Sequence, residues 1–356
     1  MTPSRHIPKY QEIINRLRTE IANGTLPPGA KLPVREELMK HYQVARTTID
    51  RAISEMIRAG ELEASRRNGT FIAKAAEDKI AILSWRESIH GHRAAWDVPS
   101  SFYAMYGRLL NRLPASRCRI INPDFIVDNP AQLRRFSRIL WAPVVDREKL
   151  EKVAEVLGDR SRLLLLNRTF PEYPYVSTDH RQAAFDLTDH FLTHLPNAGE
   201  IVCLDMPHAQ NLSSPELWEE RIRGFVDACA KHRKFYRILK LRQHDYHASL
   251  QTLLENIEEC SAQNPGIIIS PSRETTGIVL GFLNTREARL NREYYYGDFD
   301  NDRSLYDYGV AIPSVLQNYS AIGNAAADAL ENLQIQLKIP HQIVNSPWET
   351  EYHNQP

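Results

Sequence analysis

Residues 31–72 read KLPVREELMKHYQVARTTIDRAISEMIRAGELEASRRNGTFI. Within them Ile49, Ala52, Ile53, Met56 and Ile57 recur at i, i+3, i+4, i+7 and i+8, which lays one apolar stripe along a helix. Thr47, Asp50, Arg51, Ser54 and Arg58 occupy the opposite face, with Arg46 at its start. A shorter helix precedes it, with Leu38 and Tyr42 inward and Tyr42-Gln43-Val44 as the joint. Two short helices on a tight turn, the second opening on Arg-Thr-Thr, have the helix-turn-helix layout. In that layout the first turn of the second helix meets base edges in the major groove. Gly60 stops the helix. Residues 61–65 and 70–73 can then pair as strands around Asn68-Gly69, two positions that both accept positive φ and predict a two-residue hairpin turn. Arg66 and Arg67 give that hairpin the basic tip of a wing. An arginine-bearing helix face alone fits a solvated surface equally well; the basic wing tilts the reading to nucleic acid. Arg46, Thr47, Thr48, Arg51, Arg67, Asn68 and Gly69 are the residues expected at DNA.

Outward from this stretch, the composition fits a basic module on a larger body. At 356 residues the chain predicts two or three domains with ample core. Its 44 Lys+Arg balance 44 Asp+Glu. Residues 1–72 hold 12 basic against 8 acidic residues, and the remainder 32 against 36. A basic end on an acidic body suits a nucleic-acid module joined to something else. The four cysteines are scattered with no C-x-x-C, which predicts reduced structural thiols in a cytoplasmic protein. No long uncharged apolar run and no apolar signal core are present, so no membrane partner is expected.

Before the opening stretch, Tyr10, Ile13, Ile14, Leu17 and Ile21 stripe a first helix that Gly24 ends, and Pro27-Pro28-Gly29 turns into the second. Residues 1–73 therefore form the head, 74–78 a short polar linker, and 79–356 the body. From Lys79 strands alternate with helices. Strands are expected at 80–83, 118–121, 139–141, 163–166, 201–204, 236–241 and 267–269, with Phe102, Met105, Tyr106, Leu109, Leu110 and Leu113 striping one intervening helix. Such alternation predicts parallel sheets covered on both faces, with ligands bound beyond the carboxyl ends of strands.

Two resemblances attach to these stretches. YQEIINRLRTEIANGTLPPGAKLP, VARTTIDRAISEMIRAGEL and NGTFI resemble the winged-helix domain of GntR-type bacterial regulators. The chain departs from that pattern at Val34-Arg35-Glu36, where the phosphate-gripping arginine is displaced by one residue or absent; Arg35, the displaced candidate, joins the residues expected at DNA. The chain departs again at Ala45, at Asp50 where many members carry Arg, and at Arg67 in place of a wing glycine. The body segments LLLLNRTFPEYPYVSTDHRQAAFDLTDHFL, ERIRGFVDAC, GDFDND and IPSVLQNYSAIGNAAADAL resemble the LacI-type, periplasmic-binding-protein-like effector domain. Together they imply the architecture of the arabinose-repressor group. That is an α+β winged helix-turn-helix domain followed by a two-lobed α/β domain, with the chain crossing between lobes near Val176, Pro313 to Gln317 and Lys338.

Carried over by motif position, the resemblance puts Asp146, Asn167, Arg168, Arg221, Asp300 and Gln317 at an effector, with Trp85 and Arg86 as a stacking face. Pro271, Ser272 and Arg273 replace the family's Asn-Asp, and an arginine there suits an acidic sugar. Sugar sites pair bidentate polar groups with an aromatic face, although an Asp at a strand end is often only a helix cap. His90-Gly91-His92 and the histidines at 244 and 247 lack a third and fourth ligand, so no metal is expected. No G-x-S-x-G, P-loop or dinucleotide fingerprint is present, and no cofactor is expected. The expectation is a non-catalytic, dimeric DNA-binding regulator of carbohydrate-use genes, released by a sugar or sugar acid. The alternatives are a regulator whose body only dimerises, and an enzyme targeted by its head.

Overall fold

The computed structural model describes residues 8–58, 60–65, 68–73, 77–83, 100–122, 130–142, 147–205, 215–241, 246–257, 259–271, 273–285, 289–300, 312–331 and 335–346. Within these the chain forms two compact units.

The first unit, residues 1–86, 113–141 and 148–164, opens with the helices α1 (Lys9–Ala22), α2 (Arg35–Tyr42) and α3 (Arg46–Arg58). Their apolar stripes meet in one core: Ile13, Ile14 and Leu17 of α1 and Leu38 of α2 bury against Ile49, Ala52, Ile53 and Met56 of α3. Gln43, at φ 53, caps α2 in the left-handed region and turns the chain toward α3. The wing follows as β1 (Leu62–Ser65) and β2 (Gly69–Ile72). Ser65 pairs with Gly69, so three residues, not two, close the hairpin. Gly69 sits inside the strand rather than at a turn position, and its φ of +103 is one that glycine accepts without a Cβ penalty. The wing's outer edge is occupied as well: Leu32 N donates to Thr70 O at 2.8 Å and Ile72 N to Ala30 O at 2.8 Å. Pro27-Pro28-Gly29 thus steers a third extended segment alongside β2.

The same unit holds β3 (Glu77–Leu83), with β4 (Cys118–Ile121) and β5 (Phe136–Trp141) parallel on either side of it. Because β3 begins at Glu77, the expected linker loses Glu77 and Asp78 to the sheet. The strand at 139–141 also begins three residues earlier, where Phe136 is buried. Glu61, just after α3, accepts from Arg18 at 2.9 and 2.8 Å and from Arg134 at 3.1 Å. Arg134 lies in a 310 turn leading into β5, so one carboxylate ties the helical head to the sheet. The two guanidinium groups hold the Glu61 carboxyl below its ordinary range, against the opposing pull of burial. α4 (Ser100–Arg112) belongs to the second unit.

α5 (Arg147–Leu157) buries Leu150, Val153, Ala154 and Leu157 and leads to β6 (Leu163–Leu166), where the first unit ends and the second begins. The second unit pairs β6 with β7 (Tyr175–Thr178), and β7 with β13 (Gln336–Ile339), all parallel. Its larger sheet takes β8 (Ile201–Asp205), β9 (Arg237–Lys240), β10 (Gly266–Ile269), β11 (Tyr294–Phe299), β12 (Ile312–Gln317) and β14 (His341–Ser346). Their order is β14-β12-β11-β10-β8-β9, parallel except for β14. Alternation along the strands serves both faces of that sheet. Ile201 and Cys203 point to a core shared with α6 (His180–His194) and α7 (Pro215–Lys231), while Val202 and Leu204 point to α8 (Tyr246–Ile257) and α9 (Arg273–Thr285). Gly224 explains how closely α6 and α7 approach: a Cβ there would stand 2.1 Å from the Arg181 carbonyl oxygen.

α10 (Tyr319–Ala329) follows β12 and packs on α4. Arg112 of α4 meets Asp328 of α10 in a two-pronged ion pair at 2.9 and 2.5 Å. Cys118, Cys203 and Cys229 are buried free thiols, and burial pushes Cys229 up to about 12. Among the described residues no helix is long and apolar enough to cross a membrane.

Candidate functional site

Two surfaces collect the residues singled out from the sequence. On the head, α3 presents Arg46, Thr47, Arg51, Ser54 and Arg58 to solvent, with Thr48 half-buried. Asp50 stands between two arginines. Arg35 Nε at the start of α2 donates to its Oδ1 at 2.6 Å, and Arg46 Nε lies 3.7 Å from its Oδ2. The departure from the family pattern at Asp50 thus binds the displaced Arg35 back to the recognition helix. Arg51 turns the other way: its guanidinium lies 3.9 Å over the Tyr10 ring, and its Nε is 3.4 Å from Glu55. Asn68 and Gly69 are exposed on the wing, while Arg66 and Arg67 lie outside the described residues.

The second surface lies wholly in the second unit, where the carboxyl ends of β6, β7, β10, β11 and β12 converge. Arg221, on α7, is 4% exposed and sits at its centre. Its Nη2 is 3.3 Å and its Nη1 3.5 Å from the Asp300 carboxylate, Nη1 also donates to Pro271 O, and its Nε lies 3.4 Å from His180 Nδ1. The Phe299 ring lies 3.6 Å beneath the guanidinium. Gln317, at the end of β12, donates to both Asp300 and the Tyr319 hydroxyl, and accepts from Thr178 Oγ1 at 2.8 Å. Asn167 and Arg168 follow β6, buried at 2% and 6% exposure. Asn167 and Asp300 both hold positive φ, 53 and 92, a conformation that costs a non-glycine residue of order 1–3 kcal/mol and that clusters at ligand sites.

The expected crossings are strand ends that lie together. Thr178, the last residue of β7, donates to Gln317, and Lys338 on β13 pairs with Asp179 at 2.9 Å. Trp85, Arg86, Asp146 and Ser272 lie outside the described residues, as do His90, His92 and His244. Arg273 is the first residue of α9.

His180 escaped the sequence reading, which looked only at histidines with metal-like spacing. The signal was its place at the first helical position after a strand, the side on which open α/β sheets bind ligands. Its Nδ1 faces Arg221, so the neutral ring carries its proton on Nε2, which has no partner among the described residues. Burial, then the Arg221 and Arg168 charges, hold this imidazole well below its ordinary range. The unfolded chain takes up the proton near pH 6.5 and the fold does not, so stability is retained above that pH and lost as pH falls below it. The expected loss is up to about 1.4 kcal/mol per pH unit. His190 and His341 are also held low, so the measurement is the denaturation midpoint from pH 7.5 to 5 in the wild type and in His180→Gln. An identical slope in both would place the titration elsewhere.

The chain thus carries a winged-helix head and, in its second unit, a buried polar site at the strand ends of an α/β fold. Residues 9–72 match the model of the bacterial regulatory proteins, gntR family. The HTH-type transcriptional regulator YhcF of Bacillus subtilis is 37% identical over 86 residues, 24% of this chain and 71% of that protein. The chain belongs to the GntR family of bacterial regulatory proteins. The arabinose metabolism transcriptional repressor of Halalkalibacterium halodurans is 32% identical over 74 residues, 21% of this chain and 20% of that protein. The match spans only 14%, 28% and 28% of the first three curated relatives. For the body, the probable maltose operon repressor malR of Staphylococcus aureus superposes with a TM-score of 0.58 at 12% identity, covering 76% of this chain and 98% of that one. A ribose-bound LacI family regulator from Enterococcus faecium gives 0.53 at 14%, covering 75% and 97%. At such identities the likeness is one of fold: the body has the LacI-type, periplasmic-binding-protein-like fold.

Proposed function

We propose that this protein is a cytoplasmic, non-catalytic transcription regulator that binds operator DNA through its head and a carbohydrate-derived effector through the Arg221–Asp300–Gln317 site. The observation that carries the reading is that site. A buried guanidinium and carboxylate, cross-braced by Gln317 over the Phe299 ring, hold hydroxyl groups in fixed geometry while offering an aromatic face. A relative named for arabinose, and neighbours of the same fold, one named for maltose and one bound to ribose, support a sugar class of ligand. The domain boundaries we adopt are a head to residue 73 and a body whose first strand begins at Glu77. The regulatory sign we adopt is repression, as the names of several relatives suggest, with the effector relieving it.

The working unit is a homodimer. One head carries a net charge of only +4, and phosphate contacts dominate affinity for DNA, so a single copy binds weakly. Two heads on one dimer gain through effective concentration. The edge strand β9 suits a second copy: among the described residues no strand pairs with its outer edge, and Phe235 and Tyr236 just before it and Ile238 on it are 95%, 40% and 40% exposed. The effector acts by changing the geometry in which the dimer presents its recognition helices to successive major grooves.

The test is a thermal-shift screen of sugars and sugar derivatives, since a ligand that binds only the folded state raises the midpoint. A compound that stabilises the wild type and not Asp300→Ala supports the site; equal stabilisation of both places the pocket elsewhere. Coupling is reciprocal, so that compound and operator DNA are expected to weaken one another's binding by the same factor, typically 5–150-fold. Titrations with and without operator at one salt concentration measure it. Equal affinities would leave the body without a regulatory role.

A further inference from the structure

The charge balance of the effector site narrows the ligand further, resting on the effector reading above. Two guanidinium groups, Arg168 and Arg221, are buried there, and among the described residues Asp300 is the carboxylate in contact with Arg221, while Glu216, which also acts on Arg168, is paired with Arg147. Arg168 is 6% exposed and has no ion pair among the described residues. Its Nη1 donates to the carbonyl of the adjacent Asn167 at 2.5 Å, and its Nε has no partner among the described residues.

The same chain shows how an arginine is held when its role is structural. Arg162 caps three carbonyls, those of Leu133, Arg134 and Phe136. Arg168 has no such cap. His180 next to it stays neutral, so it neither adds to nor cancels the excess. An unpaired buried cation costs several kcal/mol and persists where something brings the counter-charge. We propose that the effector is an anion, a polyhydroxy compound bearing a carboxylate or phosphate that Arg168 takes in two-pronged contact, while Asp300 and Gln317 hold its hydroxyls. A planar guanidinium with unused donors is the group best matched to either oxyanion.

The experiment follows thermal unfolding of the full-length wild type, Arg168→Met and Asp300→Ala with matched compounds: glucose, gluconate, glucuronate, glucose 6-phosphate, galactose and galacturonate. The expected result is that a charged member raises the wild-type midpoint and its neutral parent does not; carboxylates and phosphate then separate the two sources of charge. Without ligand, Arg168→Met is expected to melt higher than the wild type, because an unpaired buried cation has been removed. Its affinity for the charged compound is expected to fall about 10- to 100-fold. Arg168→Gln repeats the test where the methionine variant fails to fold. Neutral sugars that stabilise the wild type as well as the acids do would overturn the anion assignment and leave the effector site standing. An Arg168→Met protein that melts lower and keeps its acid affinity would make Arg168 a packing residue, which also overturns it. A charged compound that stabilises wild type and Asp300→Ala equally would instead overturn the effector site itself. A wild type stabilised by no charged compound overturns the anion assignment.

Discussion

Replacing Arg221 by alanine is expected to destabilise the body by about 3–5 kcal/mol, because breaking a buried ion pair from one side leaves the other charge uncompensated. Asp300 is the group left behind, and its pair with Arg221 is largely shielded from solvent, at 5% and 17% side-chain exposure. The loss has three further sources. Pro271 O loses a charged donor, His180 Nδ1 loses its neighbour, and the Phe299 face loses its cation. Neutralising the carboxylate in the same chain, as Arg221→Ala with Asp300→Asn, is expected to recover part of the loss, since the penalty lies chiefly in the orphaned charge. Urea denaturation of the two single variants and the double variant closes the cycle. Additive effects would show that the pair is not energetically coupled and that Arg221 stabilises the body through its other contacts alone.

Replacing Arg46 by alanine is expected to weaken operator binding by about 1–3 kcal/mol, the range for an arginine reading a guanine edge. The same change is expected to leave the fold nearly untouched. Arg46 is 63% exposed, and its contact with Asp50 at 3.7 Å is a surface ion pair of the kind worth little. Separation of the two effects is the point of the measurement. Binding is followed by fluorescence anisotropy on an operator selected from random-sequence duplexes, and stability by denaturation. Asp50→Ala supplies the counterpart. It frees Arg35 and Arg46 together, so DNA binding is expected to tighten without regard to sequence and to become steeper in salt. Operator affinity unchanged in Arg46→Ala would remove Arg46 from the base-contacting set.

Much of the head was readable because its information is local. The stripes of α1 and α3 are written at helical spacing, and the buried residues are the ones that spacing nominates. The strand–helix alternation of the body was readable for the same reason, with boundaries shifted by a few residues at β3, β5 and β9. The hairpin was located but its turn was miscounted. Asn68-Gly69 favours a two-residue turn in isolation, whereas the pairing of β2 with residues 30–32 on its other edge accompanies a register that puts Gly69 in the strand.

For the proposed effector site, sequence order and motif position nominated Arg168, Arg221, Asp300 and Gln317 one at a time. They did not say that Arg221 would take the Asp300 carboxylate, that Arg168 would have no ion pair among the described residues, or that His180 would face Arg221. Those facts depend on which strand ends meet, and the residues concerned are spread from 167 to 319 along the chain. Secondary structure follows from periodicities of a few residues, and so the sequence alone determined the elements and their class. Charge balance is a sum over side chains brought together by the sheet order β14-β12-β11-β10-β8-β9 and by the β6–β7 pairing. Only the tertiary structure could decide it, because burial removes the water that would otherwise make each charge independent of its neighbours.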